Sequence, residues 1–128
     1  MLAEIKKLED TTDFSAGKGY QSIFLGSNFH ISLPQPRQSI KKLIAKVVGT
    51  DSLVLKYFNY NTIFLALRMM PIISGINVDG DPRKRKVNAA RKDTSLRDTR
   101  LSFDIQLEDA YYKGSGFDRG YMSRREDA

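Results

Sequence analysis

An α+β fold built on an antiparallel sheet is what this sequence predicts, and three observations carry that expectation. Runs dense in β-branched and aromatic residues occupy 53–57, 61–67 and 71–78. Arg68-Met69-Met70 is the simplest turn for folding the second run back onto the third as a hairpin. Ahead of them, Ile40, Leu43, Ile44, Val47 and Val48 recur at the spacing of one apolar helical face.

In chain order, Leu2, Ile5 and Leu8 stand three apart and suit one or two helical turns, and the Thr-, Asp-, Ser- and Gly-rich residues 11–19 read as a loop. Residues 22–25 and 29–33 are strand-like pieces on either side of Gly26, closed by Pro34 and Pro36. The helix predicted over 37–48 ends at Gly49, and its Lys41, Lys42 and Lys46 read as a solvated outer face. Asp79-Gly80-Asp81-Pro82 breaks the chain after the third strand, and residues 101–107 alternate as a further strand would. Met69 and Met70 are read as packing residues.

A chain of 128 residues has room for one domain, and 41% hydrophobic content argues for a folded core. Without cysteine, disulfides, zinc-thiolate sites and cysteine nucleophiles are excluded, while the redox compartment stays open. Residues 1–10 mix charge with isolated apolar residues, unlike a secretory signal, and the longest apolar runs are divided by Arg68 and too short to span a bilayer. A soluble, cytoplasmic protein without membrane partners is expected. The net charge of +6 has one source: residues 83–100 hold eight of the 21 basic residues (Arg83, Lys84, Arg85, Lys86, Arg91, Lys92, Arg97, Arg100) and two of the 15 acidic ones, leaving 13 of each sign elsewhere. Such a cluster attracts phosphates by counterion release, or serves only as a solvated loop.

The densest chemistry follows at Gly114-Ser115-Gly116-Phe117-Asp118-Arg119-Gly120-Tyr121-Met122. Alone, Gly-Ser-Gly is a turn; flanking Asp118-Arg119, it suggests a loop presenting polar groups at a defined point. Tyr112-Lys113 leading into this segment, with Met122-Ser123-Arg124-Arg125-Glu126-Asp127-Ala128 after it, resembles the catalytic segment of the DNA/RNA non-specific endonucleases. These are the ββα-metal nucleases, mitochondrial endonuclease G among them. Phe24-Leu25-Gly26, Leu33-Pro34, Tyr57 to Asn61, Arg68, Pro71 and Ile76-Asn77-Val78-Asp79-Gly80 resemble the same family, so the similarity runs from Phe24 to the last residue. The family motif is Asp-Arg-Gly-His, and Tyr121 stands in the place of its histidine.

The resemblance implies the antiparallel sheet core of a ββα-metal nuclease lacking the C-terminal helix half, with 1–22 as an N-terminal extension and 23–128 as a partial endonuclease domain. It implies metal-dependent phosphodiester hydrolysis with magnesium, although the family's ligand asparagine lies beyond these residues and none here is assigned to the metal. Asp118 would fix the loop by hydrogen bonds and Arg119 would face phosphate. Arg91 has the spacing of the arginine that steadies the pentacovalent phosphate, with Arg97 as its rival; a guanidinium suits that work because its fork stays charged and pairs two oxygens. Arg83, Lys84, Arg85, Lys86 and Arg97 are the candidate contacts to DNA or RNA.

Tyr121 sits at the catalytic position with the wrong chemistry. A phenol titrating near pH ~10 is scarcely ionised at neutrality, and losing a general base costs on the order of 10² to 10⁴ in rate. His30, the only histidine, is read as structural and not as a substitute base. Asp104, Glu108 and Asp109 form no ligand pattern. Expected, therefore, is an endonuclease relative with impaired or absent cleavage. The alternatives are a non-catalytic nucleic-acid-binding module and a protein-interaction domain with a basic face. A sheet face left without its covering helix would also favour a homodimer.

Overall fold

The computed structural model describes residues 9–10, 12–84, 96–118 and 120. Along the chain come β1 (Glu9–Asp10), α1 (Gln38–Lys41), β2 (Leu55–Lys56), β3 (Tyr60–Leu65), β4 (Met70–Ile76), a 3-10 turn at Pro82–Lys84, β5 (Arg97–Asp98), a second 3-10 turn at Phe103–Ile105, and α2 (Asp109–Tyr112). The architecture is mixed α and β, with a three-stranded antiparallel sheet ordered β2-β3-β4 and a small parallel pair of β1 with β5. The helical expectation for Leu2, Ile5 and Leu8 lies outside the described residues.

The three β-rich runs form the sheet where their composition places them. β3 and β4 pair from Tyr60↔Ile76 to Leu65↔Met70, with the turn over 66–69 between them and Met69 at φ 51. Pro71 fits inside β4 because the register slips there: Ile63 opposes Ile73, but Phe64 opposes Pro71, so Ile72 is an extra residue. A bulge is where a strand tolerates a residue with no N–H to donate. Thr62, fully buried, answers its own polarity by donating its hydroxyl to Ile73 O at 2.8 Å and lying 2.9 Å from Ser74 Oγ.

The helix expected over 37–48 is corrected to the single turn of α1, and the reason lies on the sheet. One edge of β3 is taken by β4; the other is shared by β2 and by residues 43–45. Ala45 N donates to Phe64 O at 2.8 Å, Ala66 N donates to Leu43 O at 3.0 Å, and Ile44 faces Leu65. An isolated helix of three turns is marginal, whereas pairing here satisfies backbone groups on both segments and closes a bare edge. Ile44 and Ala45 are consequently buried side by side while Val48, assigned to the same helical face, is exposed.

The core is small. Ala45, Leu55 and Leu101 form its buried centre, with Val47, Tyr57, Phe64, Ala66 and Ile105 packed around them. Leu101 arrives there by a route other than the strand expected over 101–107. That segment is the 3-10 turn Phe103–Ile105, fixed by Gln106, whose Nε2 donates to Asp98 O at 2.8 Å and to Leu101 O at 3.2 Å, and whose Oε1 accepts from Asp98 N at 2.8 Å. A side-chain amide closing a turn competes with a ladder.

Residues 22–25 and 27–28 are turns, 29–33 is irregular, and neither piece is a strand: Gly26 N donates to Ile23 O, Ile31 N to Ser22 O, and the Tyr20 hydroxyl to Ile31 O at 2.7 Å. Their alternation fails as a strand signal because Phe29 and Ile31 both face solvent. Residues 14–19 lie against the loop between β2 and β3: Gly19 N donates to Phe58 O, and the Phe14 ring packs edge-on against Tyr57 at 4.9 Å.

Candidate nucleic-acid interface

α2 ends directly into the glycine-rich loop. Ser115 N donates to Tyr112 O at 3.0 Å, the Ser115 hydroxyl donates to the same oxygen at 2.8 Å, and Phe117 N donates to Ser115 Oγ at 3.1 Å. Gly114 and Gly116 have φ of 74° and 80°, and a Cβ on either would meet nothing within 4 Å. They are required for their left-handed backbone and not for room. Phe117 and Asp118 are exposed beyond the turn. Asp118 hydrogen-bonds to no described residue, and within the described part of the loop the Ser115 hydroxyl closes the turn. Arg119, Tyr121, Arg91, Arg85 and Lys86 lie outside the described residues.

At the start of the basic stretch, charge is answered on the spot. The Arg83 guanidinium forks onto the Asp81 carboxylate, Nε at 3.0 Å from Oδ1 and Nη2 at 2.7 Å from Oδ2, and Lys84 Nζ pairs with Asp79. The side-chain bond from Lys84 holds the Asp79 carboxyl below its ordinary value, and the bond from Arg83 does the same for Asp81. All four side chains remain at the surface, where such pairs are weak and exchange readily for other partners.

Arg97 is the clearest correction among the predicted contacts. Its residue is only 9% exposed, its guanidinium is ion-paired with Glu108, and it stacks 5.0 Å above the Phe103 ring. A guanidinium enters the interior when carboxylate and aromatic partners replace its water. It ties β5 to the approach of α2 and presents nothing to a phosphate.

Arg100 behaves similarly. Its Nε and Nη2 reach Asp98 at 3.0 and 2.8 Å, its Nη1 donates to Lys56 O at 2.6 Å, and its guanidinium lies 4.6 Å from both the Phe14 and Tyr57 ring centres. The Tyr57 hydroxyl donates to Asp98 Oδ2 at 2.7 Å. Burial, followed by the neighbouring Asp98 charge, pushes the Tyr57 phenol up and keeps it protonated. Burial would also raise the Asp98 carboxyl, but hydrogen bonds from Arg100 and Tyr57 outweigh it and hold the group below its ordinary value. Sequence reasoning missed this network because Arg100 and Asp98 are two residues apart in an apparently exposed run, while Phe14 and Tyr57 are distant in the chain.

A second exposed cationic group includes two lysines of the outer face expected from the sequence. Arg37, Lys41 and Lys42 are exposed around α1, and Arg68 is exposed in the β3–β4 turn. None has a carboxylate partner among the described residues, whereas Lys46 lies 3.6 Å from Asp51. The remaining polar candidates do not converge on a centre. His30 is exposed, with Nδ1 3.4 Å from Ser32 Oγ, and Asp104 is exposed. Glu108 serves Arg97, and Asp109 sits in the first turn of α2. Among the described residues no three His, Asp or Glu side chains gather where they could hold a metal ion. No described helix is long and apolar enough to cross a membrane. No family model, curated protein or solved structure matches the chain.

Proposed function

We propose that this chain is a nucleic-acid-binding protein of the DNA/RNA non-specific endonuclease type, in which phosphate binding outlasts the cleavage chemistry. The observation that carries this reading is the turn over 112–118, held by the Ser115 hydroxyl and two left-handed glycines, which leaves Asp118 of the Asp-Arg-Gly segment in solvent. A turn closed by its own hydrogen bonds needs less reorganisation to take part in a charge-stabilising contact. The hairpin of β3 and β4 occupies the chain positions where the resemblance expects the family's central hairpin.

The chemistry divides unevenly between binding and cleavage. Binding needs only cations in reach of phosphate, and the sequence supplies Arg83, Lys84, Arg85, Lys86, Arg91 and Arg119. Cleavage also needs a base to take a proton from water, and the Tyr121 phenol is a poor one at neutral pH. Magnesium, where bound, would stabilise charge on the leaving oxygen.

Anisotropy of fluorescein-labelled duplex DNA, titrated at several salt concentrations, tests the binding. Affinity should fall steeply as salt rises, and binding that is absent or indifferent to salt overturns the reading. Plasmid nicking with magnesium tests the chemistry: the wild-type chain should nick no faster than buffer, and robust nicking would refute its impairment. Tyr121→His, tested with the family's asparagine-bearing helix appended, separates the remaining possibilities. Restored nicking identifies a disabled nuclease, and binding without nicking identifies a pure binding module.

A further inference from the structure

We infer that Arg37, Lys41, Lys42 and Arg68 form a second phosphate-backbone contact, separate in the chain from the basic stretch and the glycine-rich loop. The inference rests on the nucleic-acid reading above and extends the surface it uses. Arg37, Lys41 and Lys42 share the neighbourhood of α1 by sequence, and tertiary structure adds Arg68: the hydrogen bond from Ala66 N to Leu43 O, and the bridge of Ile44 with Leu65, set the chain just after α1 against the start of the turn that carries Arg68. All four side chains are exposed and none has a carboxylate partner among the described residues, so the surface keeps its full charge. The contrast with Arg83 and Lys84, each answered by an aspartate, is direct.

The chemistry of the patch favours a polyanionic strand over an anionic lipid surface. Ile40, Leu43 and Ile44 are half-buried or buried in the fold, and Leu67, beside Arg68, is exposed. α1 is one turn long, far short of a helix that could lie in a bilayer interface, and one exposed leucine is no substitute for the apolar face of such a helix. The cations are left to bind phosphates by counterion release.

Lys41→Glu/Lys42→Glu, compared with wild type in duplex-DNA anisotropy across salt, is the test. Because both side chains are exposed, the variant should keep the wild-type circular dichroism and thermal midpoint. It should bind about tenfold more weakly at low salt, and the slope of log affinity against log salt should shrink by about 1 to 2. Arg68→Gln, a milder change at the other edge of the patch, should shrink the slope by about 1. Unchanged slopes in both variants, with wild-type binding intact, overturn this inference and leave the primary reading standing. A wild-type chain that binds no DNA overturns both. Co-sedimentation with phosphatidylserine vesicles, lost in Lys41→Glu/Lys42→Glu while DNA binding is kept, would assign the patch to lipid and overturn it as well.

Discussion

Two groups of cations in this molecule have opposite fates. The basic stretch over 83–100 accounts for the net charge of the chain, yet the cations in its described part are spoken for: Arg83 by Asp81, Lys84 by Asp79, Arg97 by Glu108 and Arg100 by Asp98. Arg37, Lys41, Lys42 and Arg68 look unremarkable in the sequence but stand exposed without carboxylate partners among the described residues. Charge counted along a chain therefore measures something different from charge available in space. Within the stretch there is a second division. Arg83 and Lys84 are surface pairs that cost little to open, whereas Arg97 and Arg100 hold the fold together.

Breaking the interior half of that comparison should have the largest effect. Arg100→Ala removes the fork to Asp98, the bond to Lys56 O and the guanidinium between Phe14 and Tyr57. It should cost about 3 kcal/mol in urea unfolding, because Asp98 is left part-buried without its cation. Arg100→Lys should recover under half of that loss, since an ammonium cannot replace a planar fork between rings.

The same network predicts a pH dependence of intermediate size. Asp98 has a folded-state pKa below its unfolded one, so its contribution is fully present above the unfolded value and is lost as pH falls through the folded value. The urea midpoint should hold from neutrality down to about pH 4 and then fall. Asp98→Asn should be less stable at neutrality and lose less on acidification. Parallel acid profiles for wild type and variant would show that other carboxylates govern the decline.

The smallest effect should come from releasing the surface pairs. Asp79→Asn/Asp81→Asn frees Lys84 and Arg83 without moving the backbone far, and should strengthen DNA binding severalfold at low salt while steepening its salt dependence by about 1 to 2. Unchanged binding would mean that the two cations already exchange their aspartates for phosphate at no cost.

How much of this was legible depends on the range of the interactions. The hairpin of β3 and β4 was legible because its signal is local: dense β-branched runs and a turn between them. The single turn of α1 was not, because residues 37–48 carry a sound helical period and only the open edge of β3 made a paired strand more favourable. The Ser115-centred loop was legible as a turn from its glycines, but the part played by Ser115 was not, because only the folded chain shows its hydroxyl reaching back to Tyr112 O at the end of α2. Arg97 failed as a predicted phosphate contact because nothing in its neighbourhood along the chain announces Glu108 and Phe103 as its partners in space.

The sequence by itself determined the antiparallel sheet, the break after β4, the glycine turn and the overall basic charge, all properties of residues near one another in the chain. Only the tertiary structure decided where 43–45 would pair, which arginines enter the core and which cations stay unanswered. Those outcomes turn on whether a carboxylate, a ring or an open strand edge, brought from far along the chain, stands beside a given residue and replaces its water.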